Sequence, residues 1–331
     1  MDTGFASLLI CPECQNDVHF ESLKCYCPFC DRPFKVTGGI PELFIPSTRG
    51  NDKEDVLTKV KQFYEATPFP DYGQIEDVGT LIDKASKSIF MKSLNDQIPF
   101  GARILEAGCG TGQLSNYLST NHGMVVGTDI SMNSLKLGQA FKEKHYLSRV
   151  HFLQMNIFHP CFHPESFHVV VSNGVLHHTS DPREGLRILA TLTRKGGYLI
   201  IGLYHRFGRL VTDIRRSINR HYGARSQFLD PRASQLSEKQ RHAWFLDQYK
   251  NPHESKHTIQ EVCGWLEELG LDFRRSIPGN YFRSLTDSDT LIFKKDRIGK
   301  VYERNLVELS FAFRPSQIRD GGFFIVIAKK S

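Results

Sequence analysis

The residues best suited to chemistry in this chain are four cysteines near its start and three glycines a hundred positions later. Cys11, Cys14, Cys27 and Cys30 form two Cys-x-x-Cys pairs with twelve residues between them. Four thiolates at this spacing suit tetrahedral Zn2+, and a site filled by four cysteines leaves no position open for catalysis. A unit this small needs the ion in order to fold. Cys25 is a spare thiol that could replace Cys27 in an irregular knuckle. The remaining cysteines, Cys109, Cys161 and Cys263, are scattered.

Gly108, Gly110 and Gly112 follow an apolar run and precede a helical pattern, in the stretch RILEAGCGTGQLSNYL. Glycine permits positive φ and leaves no Cβ in the way of a ligand, and the helix start beyond it offers free N–H groups. Asp129 stands seventeen residues after Gly112, at the end of the next apolar run. A carboxylate there can accept hydrogen bonds from ribose hydroxyls. The Gly-x-Gly-x-Gly spacing is tighter than that of pyrophosphate-binding loops, which suits a nucleoside without phosphates.

These residues need a scaffold, and the chain supplies an alternating one. Short Val-, Ile- and Leu-rich runs at 103–107, 124–129, 150–154, 167–172 and 198–203 read as strands, separated by helical segments near 131–144 and 182–193. Asp181, Pro182 and Glu184 mark one helix start; Thr258 and Glu261 form a capping box for another. Strands at 271–275 and 323–328 would complete the sheet. The expected fold is therefore α/β, a Rossmann-like, doubly wound, mostly parallel sheet with a small N-terminal zinc ribbon and helical cap insertions. The expected units are a ribbon (1–46), a linker with lid helices (47–99), a cofactor-binding core (100–204), a basic helical cap (205–257) and the end of the core (258–331). That last unit holds a second insertion near 277–318.

The chain has 331 residues, 40% of them hydrophobic and 24% charged, which is ordinary globular composition. Its formal charge of +6 favours anionic partners only mildly and does not indicate nucleic-acid binding. The longest apolar runs fall short of a membrane span and the N-terminus lacks a basic leader, so a cytoplasmic protein with no membrane partner is expected.

ILEAGCGTGQLSNYL, VVGTDIS, FHVVVSNGVLHHTSDP and LTRKGGYLIIGLYHRFGRL resemble the successive motifs of class I S-adenosylmethionine-dependent methyltransferases. The resemblance is close over about 100–204 and looser at the last strand. It implies S-adenosyl-L-methionine as cofactor, with Glu106 and the Gly108–Gly112 loop at its methionine end. It places Asp129 on the ribose, Ile130 against the adenine and Asn173 in the cleft. Asn156 stands where relatives often carry an acid that holds the adenine amino group; it also suits a plain turn. The cysteine segment, with FKVTGGIPEL, resembles the zinc-ribbon-like pieces found beside some methyltransferases.

Chemistry is expected where strands four and five end. His177, His178 and Tyr204 are the catalytic candidates there, each with an alternative packing or positioning role. Tyr64, Phe69 and Tyr72 are either lid residues or plain packing against the domain's outer face, and Asp247, Tyr249, Asn251 and His253 form a polar loop suited either to substrate or simply to leading into a helix. Arg206, Arg209, Arg215, Arg216, Arg220 and Arg225 give a helix that is either a solvated face or a receiver of anionic substrates. The expected activity is methyl transfer to a small metabolite. The alternatives are an RNA or protein methyltransferase docked by ribbon and arginine helix, and a non-catalytic cofactor-binding module.

Overall fold

The computed structural model describes residues 2–21, 24–46, 51–222, 238–281, 291–313 and 322–331. A one-turn helix α1 (Thr3–Ala6) opens the chain. A three-stranded antiparallel sheet follows, of β1 (His19–Glu21), β2 (Lys24–Cys27) and β3 (Arg32–Phe34). A small ladder of β4 (Val36–Thr37) and β5 (Ile40–Pro41) leads to three helices, α2 (Asn51–Ala66), α3 (Val78–Ser86) and α4 (Ile89–Gln97).

The alternating part runs β6 (Arg103–Ala107), α5 (Gln113–Leu118), β7 (Met124–Asp129), α6 (Met132–Lys144), β8 (Val150–Gln154), β9 (Phe167–Asn173), α7 (Pro182–Leu192) and β10 (Thr193–Tyr204). Then come α8 (Leu210–Tyr222), α9 (Glu238–Phe245), α10 (Ile259–Glu268), β11 (Leu271–Ile277), α11 (Val301–Ser310) and β12 (Phe323–Lys330). The seven strands lie in the order β11-β12-β10-β9-β6-β7-β8. β6 to β10 are parallel, and β12 runs antiparallel to both its neighbours. The winding reverses on either side of β6, and such a switch point opens a crevice at the strands' carboxyl ends.

Period-two burial builds the layers. Leu105, Val126, Leu153, Val170, Leu199 and Ile201 face one core, shared with α7 and α10. Ile104, Val125, Phe152, Val169 and Ile200 face the other, shared with α3 to α6. Both faces are covered, as a parallel sheet requires. The α7 cap is as expected, with the Asp181 carboxylate accepting the Glu184 N–H at 3.1 Å. One strand differs from expectation. β10 begins at Thr193, five residues early, because the ladder to β9 shifts register between Thr193 and Tyr198 and absorbs Gly196-Gly197 as an irregularity. Segments 22–23, 47–50, 223–237, 282–290 and 314–321, including Arg225 of the arginine-rich stretch, lie outside the described residues.

Candidate functional site

The glycine loop emerges from β6 with all three glycines at positive φ, Gly110 at 54°. A Cβ on Gly110 would sit 2.4 Å from the Phe69 carbonyl oxygen, so no other residue fits there without moving the segment above. Asp129 ends β7 beside it. Its carboxylate accepts the N–H of Gly110 and the N–H of Ser131, each at 2.8 Å. That bond pins the loop across the crevice.

Glu106 lies at the bottom, buried, with the Ser115 hydroxyl donating to it. Burial pushes its carboxyl up to about 8, and the nearby Asp129 charge adds to the rise. Burial likewise raises Asp129 to about 6, against the two backbone N–H groups that favour its ionised form. Two raised carboxyls facing one crevice suit a ligand that brings hydroxyl and ammonium donors. Cys109, between the glycines, is buried and packs against Gly127, and burial raises its thiol far above the ordinary range.

Segment 69–72 lies across this loop. Tyr72 donates to the Thr111 carbonyl at 3.0 Å, Gln113 Nε2 donates to the Asp71 carbonyl at 2.7 Å, and Thr111 donates to the Pro70 carbonyl. α2 reaches the same region. Its Glu65 accepts the N–H groups of Met132 and Asn133, at 3.0 and 2.9 Å, at the start of α6. A carboxylate is favoured at a helix N-terminus.

Ile130 follows Asp129 and is half-buried; its carbonyl accepts from Gln154 Nε2 at 2.9 Å. The Asn156 amide is engaged inside the protein at both its atoms: its oxygen accepts the Phe158 N–H and its nitrogen donates to the Ile45 carbonyl. Asn173, at the end of β9, differs. Its buried Oδ1 has no hydrogen-bond partner and lies over Gly202 of β10. An orphaned acceptor at the switch point fits a ligand's donor.

His177, His178 and Tyr204 come together. The His177 ring centroid is 4.0 Å from that of Tyr204 and 4.2 Å from that of His178. His177 is wholly buried and neither ring nitrogen has a partner; burial holds it well below the ordinary histidine range. His178 Nδ1 is 2.7 Å from the His253 carbonyl. A carbonyl only accepts, so Nδ1 carries the proton and Nε2 keeps its lone pair. Burial also lowers the His178 pKa, which keeps the ring neutral.

The polar segment closes over this cluster, its first part, Leu246–Lys250, wound as a π-helical turn and not the loop expected. Tyr64 donates to Asp247 at 2.9 Å and accepts from Asn251 at 3.0 Å, while its ring sits edge-on to His178 at 6.1 Å. Tyr249 instead stacks on Phe245. Two features escaped the sequence reading. Gln248 bridges Tyr204 and Asp247, at 2.7 and 2.9 Å. Arg209, fully buried, covers the Tyr204 ring at 3.9 Å and binds Glu254 and Gln248. Arg216 binds the same Glu254. These two arginines are thus spent inside the protein, which departs from both expectations for this helix, a solvated face and a receiver of anionic substrates. No local pattern marks such a pairing, because Glu254 is thirty-eight residues or more from both.

At the other end of the chain the sulfurs of Cys11, Cys14, Cys27 and Cys30 all lie within 4.8 Å of one another. The Cys11–Cys30 and Cys14–Cys27 separations are 3.6 and 3.4 Å. A tetrahedron with Zn–S of about 2.3 Å has edges of about 3.8 Å. The four thiols therefore fit that ion. Cys25 stands outside the group, buried, with its thiol pushed up to about 12 by burial.

Sheet order, antiparallel seventh strand, glycine loop and paired acid together define the Rossmann-like fold of the class I methyltransferases, here with an N-terminal four-cysteine segment. Residues 100–264, just under half of the chain, match the family described as Methyltransferase domain, so this stretch is a methyltransferase domain. An uncharacterized protein of Synechococcus is 29% identical over 239 residues, covering 62% of this chain and 57% of its own. The ubiquinone biosynthesis O-methyltransferase of Aeromonas salmonicida is 32% identical over 117 residues, covering 32% of this chain and 45% of its own. The chain thus spans about half the length of the curated relatives it matches. Among solved structures, an S-adenosylmethionine-dependent methyltransferase of Mesorhizobium loti aligns with TM-score 0.47 at 14% identity, covering 74% of this chain and 100% of that one. Among the described residues no helix is long and apolar enough to cross a membrane.

Proposed function

We propose that the protein binds S-adenosyl-L-methionine in the crevice above β6 and β7 and transfers its methyl group to a small metabolite held beneath the segment 246–257. The cofactor supplies an activated methyl on a sulfonium; the protein has to exclude water, align the acceptor and take its proton. Asp129 holds the ribose hydroxyls, Ile130 flanks the adenine, and Asn173 Oδ1 with Glu106 and the loop Gly108, Gly110 and Gly112 receives the amino-acid end. Segment 69–72 seals the loop from solvent.

The observation that carries the acceptor side is the tautomer of His178. Its Nδ1–H is tied to the His253 carbonyl, so a neutral Nε2 remains to accept a proton from a hydroxyl or amine. Tyr64, Tyr204 and His177 wall the space, with Asp247 and Gln248 as polar contacts. The internal use of Arg209 and Arg216 supports a small acceptor over nucleic acid, since these side chains offer no phosphate-binding face. The four-cysteine segment holds Zn2+ as a structural ion.

Incubation with methyl-labelled cofactor and fractionated cell extract tests this reading. Label should appear in the small-molecule fraction; label confined to RNA or protein would overturn it.

A further inference from the structure

β8 is the last strand of the large sheet, and an edge strand normally exposes unpaired backbone. Here all five of its residues are buried: Val150 and Phe152 share the core of α5 and α6, and Leu153 shares the other core with Phe5, Leu8 and Leu9 of the N-terminal segment. Phe5 stacks on His151 with centroids 4.6 Å apart. Ile10 N–H donates to the Cys161 carbonyl and His163 N–H to the Leu8 carbonyl, both at 3.0 Å. Ile10 is the residue before ligand Cys11, so the first knuckle is tied to the loop after β8.

The tail of the same segment reaches the crevice itself. Glu42 pairs with Gln154 as a parallel bridge on the open edge of β8. Gln154 in turn donates to the carbonyl of Ile130, and Asn156 donates to the carbonyl of Ile45. Phe44 and Pro46 form one wall of a cavity of about 550 Å³ whose other wall is α2, including Glu65, whose carboxylate accepts the N–H that opens α6. Both segments expected to flank the adenine, 129–130 and 154–156, are thus bonded, directly or through one amide, to the chain that carries the thiolates.

We infer that the N-terminal segment is a built-in clamp on the cofactor site, and that metal at Cys11, Cys14, Cys27 and Cys30 tightens cofactor binding through Glu42, Ile45, Gln154 and Asn156. Gln154 is a positioning residue in this scheme: it acts on the site through the Ile130 backbone. The contacts form a contiguous chain of packed and hydrogen-bonded groups, which is what carries coupling between sites. The inference rests on the cofactor reading above.

The test measures the affinity for S-adenosylhomocysteine by calorimetry on three proteins: the zinc-loaded chain, the same chain stripped by a chelator, and zinc-loaded Phe5→Ala. Circular dichroism follows folding and metal analysis follows zinc. The stripped chain should bind roughly tenfold more weakly, in the range usual for coupled sites. Phe5→Ala should retain its zinc and yet bind several-fold more weakly, because the stack on His151 is lost. A stripped chain that stays folded and binds as tightly as the loaded one overturns the inference. If stripping unfolds the chain, unchanged affinity in zinc-bearing Phe5→Ala overturns it instead. A zinc-loaded wild type that does not bind at all would remove the cofactor reading, and this inference with it.

Discussion

Nδ1 of His178 lies 2.7 Å from the carbonyl oxygen of His253, so the segment 246–257 fixes which nitrogen of the imidazole is free. His178→Gln should lower kcat by about a hundredfold or more, the usual weight of a positioned base, while leaving cofactor affinity within twofold, roughly. His177→Gln should act mainly on stability. Isothermal titration with S-adenosylhomocysteine alongside turnover separates the two.

The same histidine sets a pH dependence. Its pKa is held below the ordinary 6.5 by burial, and the base form is the neutral one. Activity should therefore be full at neutral pH and fall only as pH drops below 6.5. A pH–rate profile whose acid limb lies above 6.5 would rule His178 out as the base.

Glu106 and Asp129 predict an opposite trend for stability. Both folded-state pKa values are raised, so between the ordinary and raised values the folded chain binds more protons than the unfolded one. Their contribution is present at low pH and is lost as pH rises, from 4.5 to about 8 for Glu106 and from 3.8 to about 6 for Asp129. Thermal melts across this window should show Glu106→Gln declining less steeply than wild type.

Gly110→Ala should weaken cofactor binding and destabilise the fold. Positive φ costs a non-glycine residue about 1–2 kcal/mol, and the new Cβ would also meet the Phe69 carbonyl at 2.4 Å. Gly196→Ala, at φ 72° with nothing within 4 Å, should show only the first cost. Denaturant titration of the two variants distinguishes strain from contact.

Glu254→Ala should cost about 3–5 kcal/mol, because it leaves the buried Arg209 and the half-buried Arg216 without their shared carboxylate. Lys256→Ala, which breaks a more exposed pair with Asp213, should cost no more than about 1 kcal/mol. Equal losses in urea unfolding would contradict the buried network.

Much of the cofactor side was legible beforehand because it is local in sequence. The strand, Gly108 to Gly112 and the helix after it are contiguous, and Asp129 sits one strand away, so alternation and spacing suffice to place them. The paired cysteines are local for the same reason. β10 shows where that logic fails: a Gly-Gly pair marks a break in one dimension, yet cross-strand bonding to β9 carried the strand through it.

The acceptor side was legible only as a set of candidates. Residue types marked His177, His178 and Tyr204, but not which ring nitrogen would be tied up inside the protein. For His178 that depended on a carbonyl seventy-five residues further on. The arginine helix misled for a related reason: a run of like charges looks solvated or ligand-seeking until its counter-charge, Glu254, is brought to it by the fold.

By itself, the sequence determined the sheet, the glycine loop after its first strand and the thiol set, since each follows from backbone periodicity or from residues a few positions apart. Only the tertiary structure decided the tautomer of His178, the burial of Arg209 and the attachment of the cysteine segment to β8. Those depend on hydrogen bonds and packing between distant segments, whose free energy exists only once the chain has closed its loops.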